Sequence, residues 1–558
     1  VCVLYKIYNP GNQAKLTITP VVNFRDFHTM TTNWNFNLKQ NIKGQKVKIE
    51  INDKSETPIY MCISEGNYIE HYNDVFRNMY YIEEEKRGFF PEENLSVPGS
   101  FEVEIPQKSD KEISFVCSLE ENIDEINVKK VINKEIIRIN ELMYDSELIE
   151  EKQDIEKLSK EELKQREILR DFIIATDNFV VYRPSFGLHT IIAGYPWFLD
   201  WGRDSLISYE GLLLATKRYK IAKEVLLTSI RDIKFGLVPN GYSGYDNRPL
   251  YNSSDSSLLL FEAVYKYIKY TGDYKFIEKN IYEKLVLVVN NYCKGIDLDD
   301  NNIFLDKDGL LSAGTENTQN TWMDAKYGNH CFTPRNGKTV ELNSLWYNAL
   351  KILEELSNKF GKRKEAKEYA KKAEQCQKAF TESFYNKKKK CLYDVLGDTK
   401  VRPNQLFATS LSHPILELNS KIAKEMLETV TKKLLNKYGL KTLAKGEKGY
   451  VDVYEGDGFR RDSSYHQGIT WPWLLGLYYD TLKNIIKAEK DKTSKKELQI
   501  RLNEFVENTT KTFTKELYER GAIGSIAEIY DSKTPYLPKG TIAQGWSVAE
   551  IFRIINRM

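Results

Sequence analysis

The sequence predicts a mainly α fold: an (α/α)6 barrel preceded by an antiparallel β-sandwich domain. Three observations predict it. Residues 1–118 alternate apolar and polar side chains over short runs separated by turn residues. From about residue 165 apolar residues recur three and four apart in roughly twelve segments. The connections between those segments alternate between short and long.

The strand-like runs include Ala14–Val22, Gln45–Ile51, Pro58–Ile63 and Ser114–Ser118. Asn9-Pro10-Gly11, Asn52-Asp53-Lys54 and Pro98-Gly99-Ser100 read as the turns between such runs. Several strands with no helix among them point to a sandwich. Arg25-Asp26-Phe27-His28 is a polar cluster that reads as a structural pair. Residues 119–164 are dense in Glu, Lys and Ile with almost no Gly or Pro, the pattern of a charged helical linker.

Beyond it the predicted helices are 165–176, 204–216, 218–232, 254–270, 274–294, 341–359, 363–385, 403–411, 418–435, 465–484, 493–517 and 540–556. Thr271-Gly272-Asp273 and Gly361-Lys362 are short connections. The stretches 177–203, 233–253, 295–340, 436–464 and 518–539 are long and rich in Gly, aromatics and acids. Paired helices with long loops on alternate connections close into a ring whose long loops share one face, over residues 165–558. A solenoid of helix pairs is the alternative, but its pairs recur every 34 residues or so with short loops throughout.

Composition narrows the function. The 558 residues are 41% hydrophobic and 29% charged with net charge +2, which excludes an electrostatic nucleic-acid binder. The 35 Tyr and 8 Trp suit carbohydrate handling and suit equally a Lys/Asn/Ile/Tyr-rich genome. Seven Cys are widely spaced without a C-x-x-C pair, which argues against zinc ribbons and a disulfide framework and for a reduced, cytoplasmic protein. Six His lack metal-ligand spacing, so neither metal nor cofactor is expected. There is no apolar run of membrane-spanning length and no signal peptide. The chain opens with Val1 inside a strand-like stretch, so upstream residues are expected.

The long loops hold the candidate chemistry. Residues 194–205 (Gly-Tyr-Pro-Trp-Phe-Leu-Asp-Trp-Gly-Arg-Asp-Ser) set Trp197 and Trp201 beside Asp200, Arg203 and Asp204, ahead of a helix with Asp204 or Ser205 as N-cap. Flat apolar rings beside fixed charges suit a sugar, whose C–H faces stack and whose hydroxyls take paired hydrogen bonds. A buried aromatic turn with one structural Arg–Asp pair is the alternative. Asp255 reads as an acid favoured at a helix start, and Glu341 likewise. In Thr321-Trp322-Met323-Asp324-Ala325-Lys326, Trp322 can place Asp324 in a partly apolar pocket, where desolvation raises a carboxyl toward neutral pKa. Tyr465-His466-Gln467-Gly468, with Trp471 and Trp473, again mixes aromatics and polar groups, and His466 fits a core position or a ligand contact. Glu528 sits among Ile526, Ala527 and Ile529, and Gln544-Gly545-Trp546 opens the last helix. Two carboxylates on separate loops match glycoside hydrolysis, one protonating the leaving oxygen and the other activating water or attacking carbon.

Four ordered motifs, 195–205, 321–325, 465–473 and 524–531 with 544–546, resemble the bacterial and archaeal glycogen-debranching family, whose members carry amylo-α-1,6-glucosidase domains related to glucoamylases. The resemblance covers roughly 165–558, and residues 1–118, with Asn23–His28, look like the family's sandwich domain. It implies the (α/α)6 barrel and inversion at the anomeric carbon. It implies Asp324 as general acid, where glucoamylases carry Glu, and Glu528 as general base. It implies that Arg203 and Asp204 grip the non-reducing glucose and that Trp201, Trp322 and Trp546 line the pocket. Trp197, Asp200, Lys326, His466, Gln467, Trp471 and Gln544 complete the expected substrate contacts. With no room for the glucanotransferase barrel of the eukaryotic enzymes, limit dextrins would need trimming by another activity. The expected function is exo-acting, inverting release of α-1,6-linked glucose from glycogen or limit dextrin, with no nucleic-acid or membrane partner. A glucoamylase or other α-glucosidase on α-1,4 or α-1,1 bonds is one alternative, and a glycogen-binding protein without catalysis another.

Overall fold

The computed structural model describes residues 1–557 except 27–28, 34–35, 52–56, 147–157 and 245. The predicted Asn52–Lys54 turn, Phe27 and His28, and the centre of the predicted linker therefore lie outside the described residues. The chain divides into two compact units, Val1–Glu141 and Leu142–Met558.

The first unit is built of eight antiparallel strands: β1 (Cys2–Asn9), β2 (Ala14–Ile18), β3 (Leu38–Lys43), β4 (Lys46–Ile51), β5 (Ile59–Ile63), β6 (Asn67–Tyr80), β7 (Glu92–Ile105) and β8 (Ser109–Ser118). They form a five-stranded sheet, β1-β8-β5-β4-β3, and a three-stranded one, β2-β7-β6. Every second residue of β4 (Val47, Ile49, Ile51) joins Phe101, Val103 and Ile105 of β7 in one buried core, so the two sheets face each other as a sandwich. Pro98-Gly99-Ser100, read from sequence as a turn, lies inside β7. Proline fits there because β2 pairs no further than Phe101 and β6 shifts register between Glu70 and Asp74, so no ladder bond is required of Pro98. Arg25 pairs with the buried Glu93 of β7, which also accepts from Asn23, Thr31 and Tyr81.

The second unit is helical. Its helices fall into two kinds by burial. All eleven residues of Gly545–Ile555 are buried, Glu550 and Arg553 as an ion pair, and most of Ser256–Thr271 and Val340–Lys359 are too, so these helices are enclosed on all sides. Arg363–Ser383 buries only Ala366, Tyr369, Ala373, Cys376 and Phe380, a single stripe three and four apart. Contacts among the buried helices run from Gly202–Tyr209 to Ser256–Thr271, Val340–Lys359, Phe407–Ser410, Leu474–Ala488 and Gly545–Ile555, and from there back to Gly202–Tyr209. Tyr219–Arg231, Tyr282–Lys294, Arg363–Ser383, Lys421–Lys433, Lys492–Glu519 and Lys160–Asp177 pack on the outside of members of that run.

Several predicted boundaries move. The segment 274–294 is two helices that meet at Ile281. The predicted helix 465–484 begins at Leu474, because Gly468 has φ 134°, Thr470–Trp471 is a strand and Pro472 follows it. A helix the sequence reading left in a loop, Gly458–Tyr465, is capped by the Asp457 side chain accepting from the Arg460 N–H. The first turn of Gly202–Tyr209 has Trp201 as N-cap, which puts the predicted caps Asp204 and Ser205 three and four positions inside the helix. All seven cysteines are free thiols. Among the described residues no helix is long and apolar enough to cross a membrane.

Candidate active site

Short strands bring the long loops together. Gly194–Tyr195 pairs with Ala543–Gln544, which fastens the 194–205 stretch to the start of the last helix. A five-stranded sheet, Leu435–Asn436, Gly439–Lys441, Thr470–Trp471, Ile529–Tyr530 and Pro538–Lys539 in that order, joins three further loops. Glu528 immediately precedes one of its strands, so its backbone is fixed by pairing, with its N–H on the Thr541 carbonyl at 2.9 Å.

Arg203 is the hub of one half of the site. It is 2% exposed and donates through Nε to both oxygens of Asp255, at 2.9 and 3.0 Å, and through Nη1 to Asp324 Oδ2 at 3.0 Å. Asp255 caps no helix N–H despite its N-cap position. It spends its carboxylate on Arg203 and on the Ser253 hydroxyl at 2.8 Å. Asp324 is 35% exposed, so it opens toward solvent from a protein wall. Burial pushes its carboxyl up, Arg203 pulls it down and Asp255 pushes it up again, leaving it raised to about 6.

Glu528 anchors the other half. Oε1 accepts from the Tyr465 hydroxyl and Oε2 from the Thr541 N–H at 3.0 Å. Gly540 has φ 68°, and a Cβ there would come within 2.2 Å of Glu528 Oε2, so only glycine leaves the carboxylate its space. Burial raises Glu528, its two donors lower it and the Asp324 charge raises it, to about 7. Asp204 is raised further, to about 8, by burial first, against Arg203 and with Asp324 and Glu528. Gln544 donates to Asp204 Oδ1 at 3.3 Å. Arg203 therefore bonds two of the carboxyls, Asp255 and Asp324, and its charge lowers Asp204, while Glu528 relies on Tyr465 and Thr541.

Behind the acids stands an aromatic wall. Trp322 meets His466, Trp471 and Trp473 edge-on at centroid distances of 5.0–5.4 Å, and Trp546 stacks on Trp473. These rings are buried against one another, which gives them a supporting position. Trp322 Nε1 donates to Asn404 Oδ1 at 2.7 Å, and Asn404 donates to Asp394 at 2.8 Å. Arg335 holds Asp394 and Glu341 together, fully buried. His466 is held neutral by burial and by Arg402, Arg335 and Arg203. Trp471 Nε1 donates to the Tyr465 carbonyl at 3.0 Å. Gln467 accepts from Arg402 and donates to Phe332 O and Thr333 Oγ1. Trp201 and Trp197 are half-buried, and Lys326 Nζ lies 3.5 Å from Asn317 O. Asp200 is engaged elsewhere, in a buried pair with Arg183. Tyr465, Thr541, Asp255 and the Arg335–Asp394–Asn404 chain had no role assigned from sequence. Tyr465 and Asp255 stood inside motifs that could have flagged them. Among the described residues no group of three or more His, Cys, Asp or Glu is arranged to hold a metal.

Carboxyls raised toward neutrality on separate loops, beside an arginine and an aromatic wall, make a site of the glycoside-hydrolase class. A family model described as amylo-alpha-1,6-glucosidase matches residues 174–553, and one described as glycogen debranching enzyme N terminal matches residues 1–111. The chain belongs to this amylo-alpha-1,6-glucosidase family of glycoside hydrolases. It is similar to a glycogen debranching enzyme of Saccharomyces cerevisiae, 24% identical over 395 residues, which span 53% of this chain and 25% of the yeast protein.

Proposed function

We propose that this protein releases α-1,6-linked glucose from the branch points of glycogen or limit dextrin, from the non-reducing end and with inversion. Asp324 protonates the glycosidic oxygen. Glu528 takes a proton from water on the opposite face of the sugar. Arg203 and Asp204 hold the terminal glucose. The observation that carries the reading is the unlike setting of the two acids: Asp324 half-open beside Arg203, Glu528 enclosed beneath a tyrosine hydroxyl and a backbone N–H.

Burial raises both acids, and the Asp324 charge raises Glu528 further. Bound glucose separates their roles. A hydroxyl that takes over Arg203 Nη1 frees Asp324 from the cation, and the sugar covers its exposed side, and both raise it. Glu528 keeps its two donors, which favour its charged form. The barrel reading of residues 165–558 is part of the same proposal, supported by the run of helix contacts that returns to its start and by the helices packed outside it. Comparing glucose release from a 6-O-α-glucosyl maltooligosaccharide, from linear maltooligosaccharides and from trehalose tests the linkage. Preference for the branched substrate supports the proposal, and preference for either of the others replaces it with an α-1,4- or α-1,1-glucosidase.

A further inference from the structure

Resting on the α-1,6-glucosidase reading, we infer that Tyr327 and Phe459 form an aromatic platform that carries the α-1,4-linked main chain from which the branch glucose is cleaved. Two residues after Asp324 the chain makes a tight hairpin, Lys326–Tyr327 against His330–Cys331, turned at Gly328 with φ 57°. Opposite it runs the helix Gly458–Tyr465, whose last residue holds Glu528. Four rings meet between the two elements. Phe459 lies edge-on to Tyr327 at 5.7 Å and to Phe332 at 5.1 Å, and stacks near-parallel with His330 at 6.4 Å. Tyr327 is 51% and Phe459 48% exposed, although both are held by ring contacts. A Cβ on Gly458 would come within 3.0 Å of the Tyr327 ring, so the hairpin packs directly onto the helix backbone. Gln467 braces the same region through Phe332 O and Thr333 Oγ1.

The rings join hairpin to helix by their edges, and the half of each that stays uncovered adds nothing to that packing. Their position relative to the chemistry names the occupant. The general acid must touch the oxygen that joins the branch glucose to the rest of the polymer. The leaving chain therefore departs over the surface next to Asp324, and the hairpin begins there. That chain is an α-1,4-glucan, whose C–H faces stack on aromatic faces. The elements that carry the rings also carry both acids or their partners, so a chain seated on the platform is held in register with the bond to be broken.

Tyr327→Ala, Phe459→Ala and the control Tyr327→Phe separate the platform from the cleavage site. Two substrates are used: α-glucosyl fluoride, which has no leaving sugar, and a long 6-O-α-glucosyl maltooligosaccharide. Each Ala variant is expected to lose roughly five- to thirtyfold in kcat/KM on the branched substrate, mostly through KM, as uniform binding is removed. Activity on α-glucosyl fluoride stays unchanged, and Tyr327→Phe behaves as wild type on both. Equal losses on the two substrates, or no loss on the branched one, overturn the platform. Calorimetric binding of linear maltoheptaose gives an independent reading. Wild type binds it and the Ala variants bind it at least fivefold more weakly, about 1 kcal/mol. If wild type binds maltoheptaose in this way but leaves the branched bond intact, the linkage reading fails and the platform stands. If the rings instead mediate self-association that the Ala substitutions abolish, and maltoheptaose affinity is unaffected, the glucan assignment fails.

Discussion

Tyr465→Phe removes one hydroxyl and leaves the ring in place. That hydroxyl donates to Glu528 Oε1 and favours the ionised carboxylate. A hydrogen bond to a charged group contributes about 1.5–3 kcal/mol. At about 1.36 kcal/mol per pKa unit, its loss raises Glu528 by roughly one to two units. The consequence for the pH profile depends on the order of the two acids. Both acids are raised toward neutrality, so without the Tyr465 hydroxyl Glu528 rises above Asp324 and the singly protonated free enzyme carries its proton mainly on Glu528. The form needed for chemistry, with Asp324 protonated and Glu528 ionised, is then the minor share of that population. The rise in Glu528 lowers this fraction roughly ten- to a hundredfold. It also moves the alkaline limb, where Glu528 releases the last proton, up by the same one to two units or so, while the acid limb set by Asp324 stays. The assay is kcat/KM against pH, which reports the free enzyme. A depressed profile whose alkaline limb stays put makes Tyr465 a packing residue. A limb that moves down refutes the reasoning.

Asp324→Asn and Glu528→Gln should each lower kcat by about three orders of magnitude or more with the melting transition retained, since each removes a proton-transfer group; near-full activity in either, measured by glucose release, removes that residue from its role. Asp204 titrates at about 8 in the folded state, well above its unfolded value, so the stability it contributes is complete below about pH 4 and is lost as the pH rises through about 8. Asp204→Asn should therefore gain thermal stability over wild type between about pH 5 and 8.5 while binding substrate more weakly, and a pH-independent difference in melting temperature contradicts this. Arg335→Ala leaves Glu341 buried without its cation and Asp394 with only Arg402, 3.6 Å away, and should cost about 3–5 kcal/mol in denaturant unfolding; a loss below about 1 kcal/mol shows that the two acids do not depend on Arg335.

The helices were legible because their periodicity is local. The apolar stripe of Arg363–Ser383 is visible in sequence, and so is the mostly apolar run Gly545–Ile555. What escaped is what depends on pairing across the chain. Strands two residues long, such as Thr470–Trp471 and Ile529–Tyr530, have no pattern to read, yet they hold the loops in position. The Gly458–Tyr465 helix was masked by glycines on either side of its capping Asp457. Asp324 and Glu528 stood out through their apolar neighbours. Their pairing with Arg203 and Tyr465 did not, because Arg203 is 121 residues from Asp324 and Tyr465 is 63 from Glu528. Asp255 looked like an ordinary helix-start acid, and only the fold turns its carboxylate onto Arg203.

The proposed mechanism predicts the configuration of the released sugar. Glucose freed from a 6-O-α-glucosyl maltooligosaccharide, followed by proton NMR faster than it mutarotates, should appear first as the β anomer. Initial release of α-glucose would mean a retaining mechanism and would contradict the assignment of Glu528 as the base that activates water.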